Sequence, residues 1–235
     1  MNLEQFIEYC LELGIELTEK QLEQFEGFYQ ILVEKNKVMN LTGITEREDV
    51  YLKHFYDSLT LVPYLKGKKV KRLCDVGGGA GFPSVPIKIV CPDINVEVVD
   101  SLDKRIKFLN EVASELNLDG FKATHARAEE YAKNKRNFFD IVTARAVARL
   151  NILSELCLPL TKKGGHFISL KAASGAEEVN EAKKGIQILG GKINGVDEFL
   201  LPIEESKRTI VDVKKVKETP NKYPRNFGRI KKKPL

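Results

Sequence analysis

The part of this sequence with the clearest chemical meaning is "CDVGGGAGFPS", residues 74–84, where four glycines fall within five residues. A glycine-rich loop lets a ligand approach the backbone closely. A dinucleotide fingerprint would require its third glycine at position 82, where this chain has Phe82. Asp75 stands just ahead of the glycines, and its charge would repel a diphosphate and attract a cation. The loop therefore indicates a site for a positively charged nucleoside.

The glycines also alternate, and with Asp75 they form the run D-x-G-x-G-x-G, which resembles motif I of the class I, Rossmann-like methyltransferases. This resemblance implies S-adenosylmethionine as the cofactor, with Asp75, Gly77 and Gly79 in its binding site. Asp100 follows 23 residues after Gly77, at the end of a candidate strand, where an acid would meet ribose hydroxyls. Asp100 supports a nucleoside ligand without deciding which one.

The methyl acceptor is indicated only by what the sequence lacks. Exocyclic amino groups are often handled by an Asn/Asp-Pro-Pro-aromatic motif after the fourth strand, where this chain has "VTARAVARL". Carbon-5 of cytosine requires a cysteine nucleophile, and Cys91 and Cys157 have no catalytic context. A ring nitrogen such as guanine N7 already offers a lone pair. We therefore predict alignment of the reactants without a catalytic acid or base.

Strands and helices alternate from about residue 69 onward. Five candidate strands contain "LCDV", "VEVVD", "FKATH", "DIVTA" and "HFISLKA", with helical patterns between them. This alternation predicts a parallel sheet with helices on both faces. Two later strands, "KINGVDEFLL" and "RTIVDVKKV", are close enough to pair antiparallel. The predicted fold class is α/β, a Rossmann-like sheet of seven mostly parallel strands with an N-terminal helical extension.

Three parts are predicted along the chain: a helical extension (1–66), a methyltransferase domain (67–217) and a basic C-terminal tail (218–235). From position 207 to the end there are eleven Lys or Arg and two acids, a net charge of +9. The whole chain carries +5, so the other 206 residues carry about −4. The basic end suggests a polyanionic partner or a solubilising tail. Its proline and lysine content and lack of periodicity predict a mobile segment.

Four scattered cysteines without a C-x-x-C pair favour buried thiols in a reducing compartment over disulfides or a metal site. We recognise no signal peptide and no membrane span. These features together predict a cytoplasmic protein.

Seven segments occur in one order: "NLTGI", "KHFYDSL", "DVGGGAGFPSVPIKI", "VDSLDKRIKFLNEV", "ARAEEY", "FDIVTARAVARL" and "TPNKYPR". Together they resemble the bacterial small-subunit ribosomal RNA guanine-N7 methyltransferases, the glucose-inhibited division protein B family, from about residue 40 to 222. The resemblance implies methyl transfer from S-adenosylmethionine to guanine N7 at rRNA position 527, in the 530 loop of 16S rRNA. The implied partner is 16S rRNA or the small ribosomal subunit, with no metal and no membrane.

The resemblance also assigns residues. By motif, Gly77 and Phe82 line the cofactor, Ala128 and Glu129 lie beside the adenine, and Arg145 is the cofactor-site arginine. The family often has Ser or Ala at position 78 and Gly at position 84, and the tail "NFGRIKKKPL" keeps the family's charge but not its spelling.

Basic and aromatic residues on the ligand side and in the tail could contact RNA. The candidates are Arg149, Lys171, Lys222, Tyr223 and Arg225. Removing residues 222–235 is expected to weaken RNA binding and leave cofactor affinity unchanged.

Several alternatives stay open. Arg145 and Arg149 could each instead form an ion pair with an acid. His54 and Asp57, three residues apart on a predicted helix, could cover the cofactor or cap that helix. The same fold could methylate another substrate, or bind rRNA without catalysis. A dinucleotide-dependent oxidoreductase is disfavoured by Asp75 and Phe82.

Overall fold

The structure is a computed structural model that describes residues 1–235, and its centre is a single seven-stranded sheet. The strand order is β3-β2-β1-β4-β5-β7-β6, with β7 antiparallel to both of its neighbours and all other pairings parallel. The predicted fold class is confirmed. The strands are β1 (Arg72–Val76), β2 (Asn95–Asp100), β3 (Phe121–His125), β4 (Phe139–Arg145), β5 (Thr161–Lys171), β6 (Gly191–Leu200) and β7 (Lys207–Lys215).

Strand order reverses at β1, which pairs with β2 on one side and with β4 on the other. Open parallel sheets bind ligands in the crevice outside the carboxyl ends of the strands at such a reversal. The glycine loop follows β1 directly, so the topology places it at the mouth of this crevice.

Helices cover both faces of the sheet. Alternate residues of β1 enter different hydrophobic clusters: Leu73 packs with the N-terminal helices, whereas Cys74 and Val76 pack with the later helices. The α-helices are α1 (Leu3–Glu12), α2 (Glu19–Met39), α3 (Arg47–Val50), α4 (Asp57–Leu59), α5 (Ser84–Val90), α6 (Asp103–Glu115), α7 (Ala128–Asn134), α8 (Leu150–Cys157), α9 (Gly175–Ile188) and α10 (Phe227–Lys232).

The N-terminal helices are stabilised by local capping and by tertiary packing. Asn2 and Thr18 each form a capping box that starts α1 and α2. Between α3 and α4 a π-helical segment (Tyr51–Tyr56) runs without a break, and its Phe55 packs against Phe28 of α2. These helices share one hydrophobic cluster with the sheet. The three-part division of the chain stays a prediction.

The C-terminal segment is ordered, so the expectation of a mobile tail is wrong. Tyr223 and Ile230 are buried in the same cluster as α8, and Arg225 pairs with the fully buried Glu155. Composition suggested disorder because six basic residues after position 217 dominate the segment. A few apolar anchors and one buried ion pair are sufficient to hold it against the domain.

Candidate functional site

The glycine loop has a backbone that requires glycine at three positions, the third being Gly81 with φ +93°. Gly77 has φ +73°, and a Cβ there would lie 2.7 Å from Cγ2 of Val147. Gly79 has φ +57°, and its N–H donates to Oδ2 of Asp100 at 3.1 Å. Side chains at positions 77 and 79 would be strained and would fill the crevice. The loop therefore presents bare backbone to a ligand.

Asp75 lies beneath the loop and does not face the ligand. Its side chain is fully buried, and neither carboxyl oxygen has a hydrogen-bond partner. Burial raises the pKa of Asp75 to about 7, although the nearby Ser84 opposes the shift. The expectation of a carboxylate that faces the cofactor across the crevice is wrong in its geometry, because Asp75 is fully buried, with Oδ2 2.9 Å from where a Cβ on Gly78 would lie.

One cavity of about 260 Å³ opens where β1, β2, β3 and β4 end. Asp100, Ala128 and Glu129 line it together with Gly77, as the sequence predicted for a nucleoside site. Asp100 is nearly buried; its Oδ1 accepts from the N–H of Leu102, and its Oδ2 faces Gly79 and Arg105. Its carboxylate is therefore fixed at the wall of the cavity.

A second cavity, of about 180 Å³, continues from the first and shares Gly77, Arg105 and Ala146 with it. The N-terminal helical region closes this cavity through Thr42 and His54, opposite the glycine loop. Phe82 also lines it. The structure thus builds one elongated crevice from the sheet and the helical extension together.

His54 is a positioning group that remains neutral near pH 7. Its ring stacks on Phe82 with centroids 4.4 Å apart, and Nε2 is hydrogen-bonded to the Thr42 hydroxyl at 2.8 Å. Burial, followed by the charge of Arg145, lowers the pKa of His54 to about 4. Through these contacts, the neutral imidazole connects the helical extension to the glycine loop. It is therefore not available to transfer a proton.

Arg145 stands at the boundary between the second cavity and a third one of about 350 Å³. Its guanidinium donates to the Lys53 carbonyl at 2.7 Å and forms an ion pair with Asp57 at 3.2 Å. Asp57 also pairs with Arg208 at 3.1 Å. Asp57 therefore neither caps a helix through its side chain nor covers the crevice directly; it anchors two arginines.

The predicted RNA-contacting residues do not share one environment. Arg149 is exposed and pairs with Glu181, and the partly buried Lys171 pairs with Glu178 beside the third cavity. Lys222 is exposed. Arg225 is held by Glu155, as described above.

Tyr223 is only 8% exposed, and its carbonyl accepts from Arg136. The proposed stacking of Tyr223 on an unpaired base does not fit this burial. The buried ring instead anchors the C-terminal segment to the domain.

Sequence reasoning missed several residues that line the first two cavities, among them Arg105, Val147, Thr42 and Phe227. Arg105 and Val147 stood inside quoted motifs, so proximity to the loop could have suggested them. Thr42 and Phe227 come from parts of the chain far from the loop, and only tertiary packing brings them to the crevice. The structure shows no group of three or more His, Cys, Asp or Glu side chains that could hold a metal ion. It also has no helix long and apolar enough to cross a membrane.

The crevice fits S-adenosylmethionine. It offers a nucleoside-sized cavity with the Asp100 carboxylate at its wall and a smaller continuation beside Arg145. Bare glycine backbone lies between the two parts, where a Cβ at position 77 would intrude. Fold and crevice together define a class I methyltransferase.

Solved structures of similar fold agree with this class. P. horikoshii TYW2 in complex with MeSAdo aligns with a TM-score of 0.50 and 17% identity, over 62% of this chain and 58% of that one. A SAM-dependent O-methyltransferase from Thermotoga maritima gives a TM-score of 0.50 and 18% identity, over 80% and 72%. At such identities the likeness concerns the fold alone.

Sequence comparison identifies the family. The GidB family, described as rRNA small subunit methyltransferase G, matches residues 21–210. Proteins named ribosomal RNA small subunit methyltransferase G from Bacillus velezensis and Bacillus subtilis are each 54% identical over 100% of this chain and 99% of their own length. The one from Bacillus licheniformis is 55% identical with the same coverage. This chain belongs to the GidB family of S-adenosylmethionine-dependent rRNA methyltransferases.

Proposed function

We propose that this protein transfers a methyl group from S-adenosylmethionine to N7 of the guanine at position 527 of 16S rRNA, in the 530 loop. Membership of the GidB family is the observation that carries the proposal. The crevice and its neighbouring cavity supply the geometry that the reaction needs. The proposed substrate places the reaction in the bacterial cytoplasm.

The cofactor would occupy the two connected cavities. Asp100 would bind the ribose hydroxyls, Ala128 and Glu129 would flank the adenine, and the methionine part would lie along Gly79 toward Arg145. When bound, S-adenosylmethionine supplies an electrophilic methyl group. The chain itself binds, orients and excludes water around the reacting atoms.

The acceptor guanine would enter the third cavity, which meets the cofactor crevice at Arg145 and Ala146. Phe199 and Lys171 lie on the walls of this cavity and could contact an aromatic base and a phosphate. Guanine N7 lies on the major-groove edge, which side chains cannot reach in A-form RNA, so the base must come from a loop or an opened region.

The protonation states of the candidate base and thiols favour a ring nitrogen as the nucleophile. His54 is neutral and engaged by Thr42. Burial raises the pKa of the Cys91 thiol to about 11 and raises that of Cys157 well above its usual range, which makes both poor nucleophiles. A lone pair on N7 requires neither a base nor a thiolate.

The direct test is incubation of the protein with labelled S-adenosylmethionine and 16S rRNA, followed by mapping of the modified nucleotide. We expect one 7-methylguanosine at position 527, and none when that guanine is replaced by adenine. Label at another nucleotide would favour a methyltransferase with a different target. RNA binding without label transfer would favour a non-catalytic assembly factor.

A further inference from the structure

The last sixteen residues, 220–235, cross the surface beside the nucleoside cavity; we call them the C-terminal strap. Phe227 of the strap lines that cavity together with Asp100 and Glu129. Its backbone N–H also donates to Oε1 of Glu129 at 3.2 Å. The strap therefore touches the site through both a ring and a backbone group.

The strap is attached by a buried ion pair. Glu155 is fully buried, and it accepts two charge-assisted hydrogen bonds from Nε and one Nη atom of Arg225 at 2.8 and 2.6 Å. It also accepts the backbone N–H of Arg225 at 2.8 Å. Such a bidentate pair fixes geometry as well as position. The next residue on α8, Leu156, lines the nucleoside cavity, so one helix holds both the strap and the cavity wall.

Further contacts fix the strap on either side of this pair. Arg136 donates to the carbonyls of Pro220 and Tyr223 at 3.1 and 2.8 Å. Asn226 caps the short helix α10 by accepting the N–H of Arg229, and Ile230 is fully buried. Phe227 thus lies between two anchored points, and its position is determined by the fold.

We propose that Phe227 is a cofactor-binding residue and that the C-terminal strap forms one wall of the nucleoside pocket. The proposal rests on the proposed cofactor site. The ring would cover an apolar face of the bound nucleoside, and the Phe227 N–H would keep Glu129 oriented beside the adenine. Removal of residues 222–235 is then expected to weaken cofactor binding, in contrast to the expectation from the sequence.

The test is calorimetric binding of S-adenosylhomocysteine and of adenosine to Phe227→Ala, Phe227→Leu and the control Lys192→Ala, whose side chain is exposed. We expect Phe227→Ala to weaken binding of both ligands about tenfold, and by the same factor, because both contain the nucleoside. Phe227→Leu should restore most of the affinity, and Lys192→Ala should match the wild type. With methyl transfer as the readout, KM for S-adenosylmethionine should rise while kcat remains near the wild-type value.

Unchanged affinity in Phe227→Ala, with a wild-type protein that binds both ligands, would overturn the strap proposal alone. Failure of the wild type to bind S-adenosylhomocysteine would overturn the proposed cofactor site instead. Thermal unfolding of each variant separates a loss of ligand binding from misfolding. If the affinity falls together with Tm, and Phe227→Leu does not restore it, the result would also count against the proposal.

Discussion

A buried carboxyl group and a bare glycine backbone are the two residue-scale features that shape the crevice. Asp75 contributes no direct charge to the ligand, because the loop covers it and burial favours its protonated form. Gly77 contributes space and a left-handed backbone conformation. In the proposed cofactor site, the loop would therefore select its ligand by shape and exposed backbone more than by a facing acid.

Replacement of Gly77 by Val should weaken S-adenosylhomocysteine binding on the order of 100-fold, from backbone strain and the clash with Val147. Calorimetry measures the loss. Gly164→Val is the matched control, since Gly164 has φ +83° and a Cβ added there would have no atom within 4 Å. Equal affinities in the two variants would contradict the assignment of the loop.

Replacement of Asp75 by Asn should change the pH dependence of stability. The pKa of Asp75 rises from 3.8 to about 7 on folding. At pH values between these two, Asp75 is protonated in the folded state and ionised in the unfolded state. This group therefore lowers the free energy of unfolding as pH rises from about 4 to 7, by up to on the order of 4 kcal/mol.

Denaturant unfolding of both proteins in the absence of ligand, at pH 5 and pH 8, checks the sign of this effect. The free energy of unfolding of Asp75→Asn minus that of the wild type should be more positive at pH 8 than at pH 5. A constant difference between the two proteins at both pH values would show that Asp75 does not titrate in this range.

At the scale of secondary structure, the π-helical segment and α4 position Arg145. Backbone carbonyls of the segment and the Asp57 carboxylate hold the guanidinium at the boundary of two cavities. Asp57 does the same for Arg208 on β7. One acid on the helical extension thus connects two strands of the sheet.

Asp57→Asn should lower the free energy of unfolding by about 3–5 kcal/mol, because it leaves two largely buried guanidiniums without their counter-charge. Methyl transfer to rRNA should fall as Arg145 loses its fixed position. Asp49→Asn is the control on the same stretch of helix, since Asp49 forms only an exposed i,i+4 pair with Lys53. Chemical denaturation and label transfer measure both effects, and similar results for the two variants would contradict the anchoring role.

At the scale of the whole molecule, the C-terminal strap carries a run of exposed positive charge. The exposed lysines of the strap include three consecutive residues, 231–233, and none of them forms an ion pair. Anchoring of the strap holds this charge at a fixed place on the domain. A fixed basic patch of this kind favours contact with RNA phosphates.

Replacement of Lys231, Lys232 and Lys233 by Ala should weaken RNA binding and reduce the slope of log affinity against log salt by roughly 2, if all three contact phosphates. Cofactor affinity should stay unchanged, because these side chains point to solvent. Filter binding at several salt concentrations measures the slope. The control triple variant at Lys20, Lys37 and Lys192, all exposed, should keep the wild-type slope; an equal decrease would indicate nonspecific charge loss.

The sequence by itself determined the sheet and the glycine loop, because both depend on local patterns. Alternating strands and helices specify a parallel sheet, and D-x-G-x-G-x-G specifies a loop at the end of β1. Asp100 could be placed because it ends a strand whose carboxyl end must meet the crevice, whereas Ala128 and Glu129 were assigned by the family resemblance.

Only the tertiary structure decided which charges face the ligand and where the chain end lies. Burial of Asp75 depends on how the loop folds back over it, and capture of Arg225 depends on Glu155, 70 residues earlier in the chain. Such contacts carry no local signal, because the sequence around a basic residue does not show whether that residue is exposed or held in a buried ion pair. Burial, which is a property of the folded chain, separates the two.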